Sequence, residues 1–127
     1  DGTLHKVTGR MNSMMAGLCC GEPCTVSWDI INNFANAFIA CSDDYAASGM
    51  RLLGLPQSGD ARIVSGESGA VTAGVLAALM QDPELAQLRN ELGLDENSRV
   101  LLISTEGATD KVNYLKVLSG KWKPENK

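Results

Sequence analysis

Two short polar turns carry the groups of this 127-residue chain that could meet a ligand. The first lies in Ile63-Val64-Ser65-Gly66-Glu67-Ser68-Gly69-Ala70-Val71-Thr72-Ala73-Gly74 and presents Glu67 and Ser68. The second is Ser104-Thr105-Glu106-Gly107, which ends the apolar run Arg99-Val100-Leu101-Leu102-Ile103. Carboxylates and hydroxyls at such turns bind polar atoms. Where a turn opens a helix, its backbone N–H groups carry partial positive charge toward whatever sits there. A single such residue commonly does no more than cap the next element. The recurrence of one design, a branched run ending in a polar, Gly-containing turn, is what points to a shared site.

Several chemistries lack the residues they need. Gly66-Glu67-Ser68-Gly69-Ala70 reads G-x-S-x-A, close to a hydrolase elbow. That reading needs a histidine later in the chain, and the only histidine is His5. Cys19 and Cys20 are adjacent, Cys24 follows, and Cys41 is isolated. This is not the paired spacing of a zinc site, so no metal ligand is expected. The C-x-x-x-C of Cys20 and Cys24 is likewise not the usual redox spacing, and reduced, buried thiols are expected. Net charge is −4 with no basic block, which argues against nucleic acid or an anionic membrane as partner. No apolar run approaches the roughly 20 residues of a membrane helix.

The elements that must position the two turns follow from local pattern. Ile63-Val64 and Arg99–Ile103 read as buried strands. Leu4–Val7 and Phe38–Cys41 read as shorter ones. Met11, Met14, Met15, Leu18, Cys19 and Cys20 suggest a buried loop or a short close-packed helix. Ser27 looks like a helix N-cap, with Ile30, Ile31, Phe34 and Ala35 at helical spacing. Ser42 or Asp43 opens a helix that ends near Gly54. The small apolar residues from Ala70 to Met80 make a buried helix ending near Gln81. Asp82-Pro83-Glu84 opens the next, with Leu85, Leu88 and Leu92 on one face and Gly93 to stop it. Asp110 caps a last helix with Val112, Leu115 and Leu118 inward, ended by Gly120. The alternation predicts an α/β fold, a short parallel sheet flanked by helices, with the site beyond the carboxyl ends of its strands. The length suits one domain, residues 1–120, followed by a charged tail, residues 121–127. The start Asp1-Gly2-Thr3, without an initiator methionine, suggests a fragment or a processed product.

The two turn motifs, with Leu102-Ile103-Ser104-Thr105-Glu106-Gly107-Ala108-Thr109-Asp110 as the second, resemble the C-terminal motifs of fold-type II pyridoxal-phosphate enzymes, and in particular their diaminopropionate ammonia-lyases. Met14-Met15-Ala16-Gly17-Leu18, Gly21-Glu22-Pro23, the spacing to Trp28, Met50-Arg51-Leu52-Leu53-Gly54 and Tyr114 extend the resemblance over nearly the whole chain. It implies part of the large domain of a cytoplasmic, homodimeric lyase that converts 2,3-diaminopropionate to pyruvate and ammonia by β-elimination on pyridoxal 5'-phosphate. By resemblance, Ser104 faces the pyridine nitrogen, and Gly66, Glu67, Ser68 and Thr105 lie by the cofactor. Individual roles for Glu106 and Asp110 do not follow from it. A hydroxyl partner leaves that nitrogen largely unprotonated and the ring a milder electron sink, which suits elimination. Glu67 and Ser104 are then expected to look into a common hollow for a flat heteroaromatic ring.

Family members are roughly three times longer. Their Schiff-base lysine, acid/base aspartates and phosphate-cradling glycine loop lie upstream of this stretch. The lysines here, Lys6, Lys111, Lys116, Lys121, Lys123 and Lys127, sit in no such motif, so no catalytic residue is expected. The chain reads as half a site, inactive alone and prone to self-association. The alternative is a non-catalytic small-molecule binding or regulatory module of the same fold.

Overall fold

The structure, a computed structural model, describes residues 3–57 and 59–124. Asp1, Gly2 and the tail residues Glu125, Asn126 and Lys127 lie outside the described residues, as does Ser58. Among the described residues there are five α-helices: α1 Thr25–Phe34, α2 Asp43–Gly54, α3 Glu67–Gln81, α4 Ala86–Glu91 and α5 Lys111–Leu118. Short 3-10 turns occur at Ala16–Leu18 and Pro83–Leu85. The chain divides into two compact units, Asp1–Ala40 and Cys41–Lys127.

In the first unit the Val7 N–H donates to the Gly21 carbonyl at 2.7 Å, and an exposed Lys6–Glu22 ion pair lies beside it at 3.0 Å. Such exposed pairs stabilise little. Met15 is buried among this unit's described residues. Met11 and Leu18 are exposed, against the expectation of a buried loop or short close-packed helix there, and the α1 residues Val26, Ile30 and Phe34 are exposed as well. Helix α1 starts two residues before Ser27, with Cys24 as its N-cap.

The second unit is organised by the crossing of α2 and α3. Ala46, Ala47 and Met50 of α2 meet Ala70, Val71 and Ala73 of α3, all buried. Small side chains let the two backbones touch. A Cβ on Gly49 would fall on the Ala70 carbonyl, and one on Gly74 would fall on the Tyr45 carbonyl. Helix α5 leans on the end of α2, where Gly54 leaves room for Tyr114 and Leu118. That gap selects the inward face of α5. Tyr114 and Val117 are buried while Val112 and Leu115, expected inward, are exposed. Asp82 accepts from the Glu84 N–H at 2.9 Å with Pro83 at the first position, as its sequence predicts. Gly93 follows α4 with φ of +68°, a conformation suited to glycine.

The expected α/β fold with a short parallel sheet is corrected: among the described residues there is no strand, and the regular structure is helical. The runs at Leu4–Val7, Phe38–Cys41, Ile63-Val64 and Arg99–Ile103 are irregular. A strand exists only against a partner backbone. The Ile63 N–H goes instead to the Leu53 carbonyl at the end of α2, at 2.9 Å. The backbone of Val100–Ile103 makes no hydrogen bond among the described residues, and Leu101 is 86% exposed. Branched, apolar residues give a run its strand propensity, but the pairing that would fulfil it is not local.

Candidate functional site

The two turns lie against each other in the second unit. Gly66, the N-cap of α3, holds an extended backbone (φ −79°, ψ −172°). Its N–H donates to the Glu106 carbonyl at 3.2 Å. A Cβ at Gly66 would strike the Gly107 carbonyl and stand 3.0 Å from the Glu106 side chain. One helical turn on, a Cβ at Gly69 would stand 2.7 Å from the Ser65 hydroxyl and 2.9 Å from the Ser104 hydroxyl. Those hydroxyls are themselves hydrogen-bonded at 2.8 Å. Two glycines thus admit the second turn to the first, and two serines join them.

Glu106 completes the junction. Its Oε1 accepts from the Ser68 N–H at 2.6 Å and its Oε2 from the Thr109 hydroxyl at 3.3 Å. A helix leaves its first N–H groups without internal partners, and an acceptor there stabilises it, more so when charged. The Ser68 N–H at this helix start is taken by the protein's own carboxylate. Glu67 turns elsewhere. It is buried, and its Oε1 accepts from Asn113 Nδ2 of α5 at 2.6 Å. Asp110 fixes that donor, because its Oδ1 caps α5 by accepting the Asn113 N–H at 2.9 Å.

Each residue singled out in the sequence therefore has a place. Ser104 sits on the outer side of the hydroxyl pair, exposed, with the Glu106 carbonyl a further acceptor at 3.3 Å. Gly66 is at the contact between turns. The Ser68 hydroxyl is buried and has no partner among the described residues. Thr105 is exposed. Glu67 and Ser104 are held by different groups, α5 for the one and Ser65 with Glu106 for the other. The partners of the Ser104 hydroxyl are Ser65 and the Glu106 carbonyl. Sequence reasoning passed over Ser65, Gly69 and Asn113. A signal was present for Ser65, a polar residue directly after a branched apolar pair.

The four cysteines are free thiols, and none is fully buried as expected: Cys20 and Cys24 are exposed, Cys19 and Cys41 half-buried. Cys24, exposed at the start of α1, has its thiol held below the usual range. The Ser27 backbone hydrogen bond is the main cause, followed by the Ser27 side chain and the Val26 backbone. The Cys41 thiol is pushed up by burial and, less, by the charge of Asp43.

Compared with known proteins, the chain is similar to ammonia-lyases, one of whose solved structures holds an aminoacrylate-PLP azomethine reaction intermediate. By name these relatives are diaminopropionate ammonia-lyases. The chain is 50% identical to that of Escherichia coli K12 over 117 residues, covering 92% of this chain and 29% of that protein. It is 49% identical to that of Salmonella typhimurium over 115 residues, covering 90% of this chain and 28% of that protein. The Escherichia coli structure with an aminoacrylate-PLP azomethine reaction intermediate superposes with a TM-score of 0.81 at 50% identity, over 87% of this chain and 29% of that one. The structure of the same enzyme with D-serine gives 0.79 at 51% identity, over the same shares. No protein-family profile matches. The resemblance carried by the two turn motifs is thus borne out over most of this chain, which spans about 29% of the length of the curated relatives it matches.

No described helix is long and apolar enough to cross a membrane.

Proposed function

We propose that this chain supplies one wall of the active site of a pyridoxal-phosphate-dependent ammonia-lyase, as the C-terminal part of a polypeptide that converts 2,3-diaminopropionate to pyruvate and ammonia. The observation that carries the reading is the direct bond between Ser65 and Ser104. It brings the two motif turns into one rigid unit with an exposed hydroxyl. That unit fits one edge of a flat heteroaromatic cofactor. Ser104, exposed, suits a ring nitrogen, and Gly66 lies at the same junction, while Glu67 and Thr105 are carried into the site by the resemblance alone and the Ser68 hydroxyl is buried beside it.

When bound, the cofactor supplies the electron sink for elimination. The residues of this chain orient the ring and set the polarity at its nitrogen. They provide no anchor for it and no acid or base for the substrate, so the chain alone holds the cofactor weakly and eliminates nothing. The reading places the assembled enzyme in the cytoplasm as a homodimer, with residues 1–120 as part of the lyase domain and 121–127 as a charged tail.

The test is a chimera in which this chain replaces the matched 117 residues of the Escherichia coli lyase. It is expected to bind pyridoxal phosphate and to form pyruvate from 2,3-diaminopropionate. Ser104→Asp, which would hold the nitrogen protonated, is expected to lower that rate by about tenfold or more. A folded, cofactor-loaded chimera without pyruvate formation would leave only a binding module.

A further inference from the structure

We propose that Asn113 of α5 is a positioning residue: it ties down one oxygen of the Glu67 carboxylate and leaves the other to accept from a donor group of the bound ligand. The inference rests on the reading, carried by the resemblance, that puts Glu67 beside the cofactor. It adds what aims that side chain.

Glu67 is 7% exposed, and the hydrogen bond to its side chain among the described residues is that from Asn113 Nδ2 to Oε1, at 2.6 Å. A carboxylate taken out of water needs such a donor, because burying it without one is costly. Oε2 has no donor among the described residues. The side-chain oxygens that are fully buried without a partner are those of Ser68 and Tyr114, so Oε2 reaches an open surface. A carboxylate oxygen accepts and does not donate, so what it meets there is an N–H or O–H group.

Both ends of the Asn113–Glu67 bond are anchored. Asp110 Oδ1 accepts the Asn113 N–H at 2.9 Å, and the buried Tyr114 and Val117 seat α5. Glu67 is the first residue of α3, between Gly66 and Ser68, whose N–H groups both donate to Glu106. A free glutamate side chain turns about several bonds, and ordering it on binding weakens the complex. A side chain already fixed before the ligand arrives spares that cost.

The donor group belongs either to the cofactor or to the amino acid joined to it, and the two sources move different constants. In the loaded chimera Asn113→Leu is expected to raise the Kd for pyridoxal phosphate about tenfold in the first case, or the KM for 2,3-diaminopropionate about tenfold in the second, with kcat held within about twofold. Glu67→Gln turns an amide N–H toward the ligand's donor and is expected to bring the same change, to which Asn113→Leu then adds little. Both constants unmoved by Asn113→Leu overturn the proposal. So does a full loss from Asn113→Leu in the Glu67→Gln background, since Asn113 would then act on something else. Where Asn113→Leu fails to fold, Asn113→Asp, of the same shape and without the donor, decides the point. In this chain without cofactor, a side-chain amide proton of Asn113 is expected to exchange with water about tenfold slower than those of the exposed Asn32, and equal rates overturn the proposal. A chimera that binds no cofactor sinks the proposed function and this inference with it, whereas unmoved constants in a loaded chimera sink this inference alone.

Discussion

The α2–α3 crossing and the run Val100–Ile103 are both built from apolar sequence, yet one is closed to water and the other open. In the crossing, Ala46, Ala47, Met50, Ala70 and Ala73 are buried, and Gly49 and Gly74 put backbone against backbone. In the run, Leu101 and Ile103 are 86% and 68% exposed and no backbone group is paired among the described residues. The difference lies in what each needs from elsewhere. A helix satisfies its own hydrogen bonds and asks a neighbour only for contact. A strand-like run asks for another backbone, and residue type alone cannot supply one.

The sharpest way to break the closed region is Gly74→Leu. The added carbons would fall on the Tyr45 carbonyl, which cannot move as a side chain can. A loss of about 3 kcal/mol or more is expected from urea denaturation. A smaller loss would mean that the crossing has slack.

At the junction between the two turns, Glu106→Ala removes the acceptor of the Ser68 N–H, expected to cost roughly 1–2 kcal/mol. Glu106→Gln keeps an acceptor without its charge and is expected to cost about half as much. Amide hydrogen exchange at Ser68 distinguishes the two.

The open region should respond least. Leu101→Lys with Ile103→Lys is expected to change stability by no more than about 0.5 kcal/mol, since both side chains already face solvent. The same pair is expected to reduce self-association measured by light scattering, because uncovered apolar runs with unpaired backbone invite pairing between copies. A large loss of stability would show that the run packs where it is now open.

Features set by a few neighbouring residues were legible. Asp82 before Pro83, Asp110 before α5 and the end of α4 at Gly93 follow from local capping and backbone preference, and α2 opens after Ser42 as expected although the Ser42 side chain makes no cap hydrogen bond. Strands were misread because propensity is written in the residue while the partner is not. The inward face of α5 was misread because Gly54, 60 positions before Tyr114, selects it. The site divides in the same way. That the two turns belong together was legible from their shared design and the resemblance it carried. Their fastenings were not: Ser65 with Ser104 spans 39 positions, Ser68 with Glu106 spans 38, and Glu67 with Asn113 spans 46.

The tightness of the α2–α3 crossing decides where the molecule can yield. Helix α3 cannot slide or roll while Gly49 and Gly74 are pressed to the opposite backbone, so residues 67–74 act as a fixed jaw. The opposing jaw, residues 104–107, hangs on a hydroxyl pair, a carboxylate and a single main-chain bond. Strain on the junction is therefore borne by the fewer fastenings of the second turn.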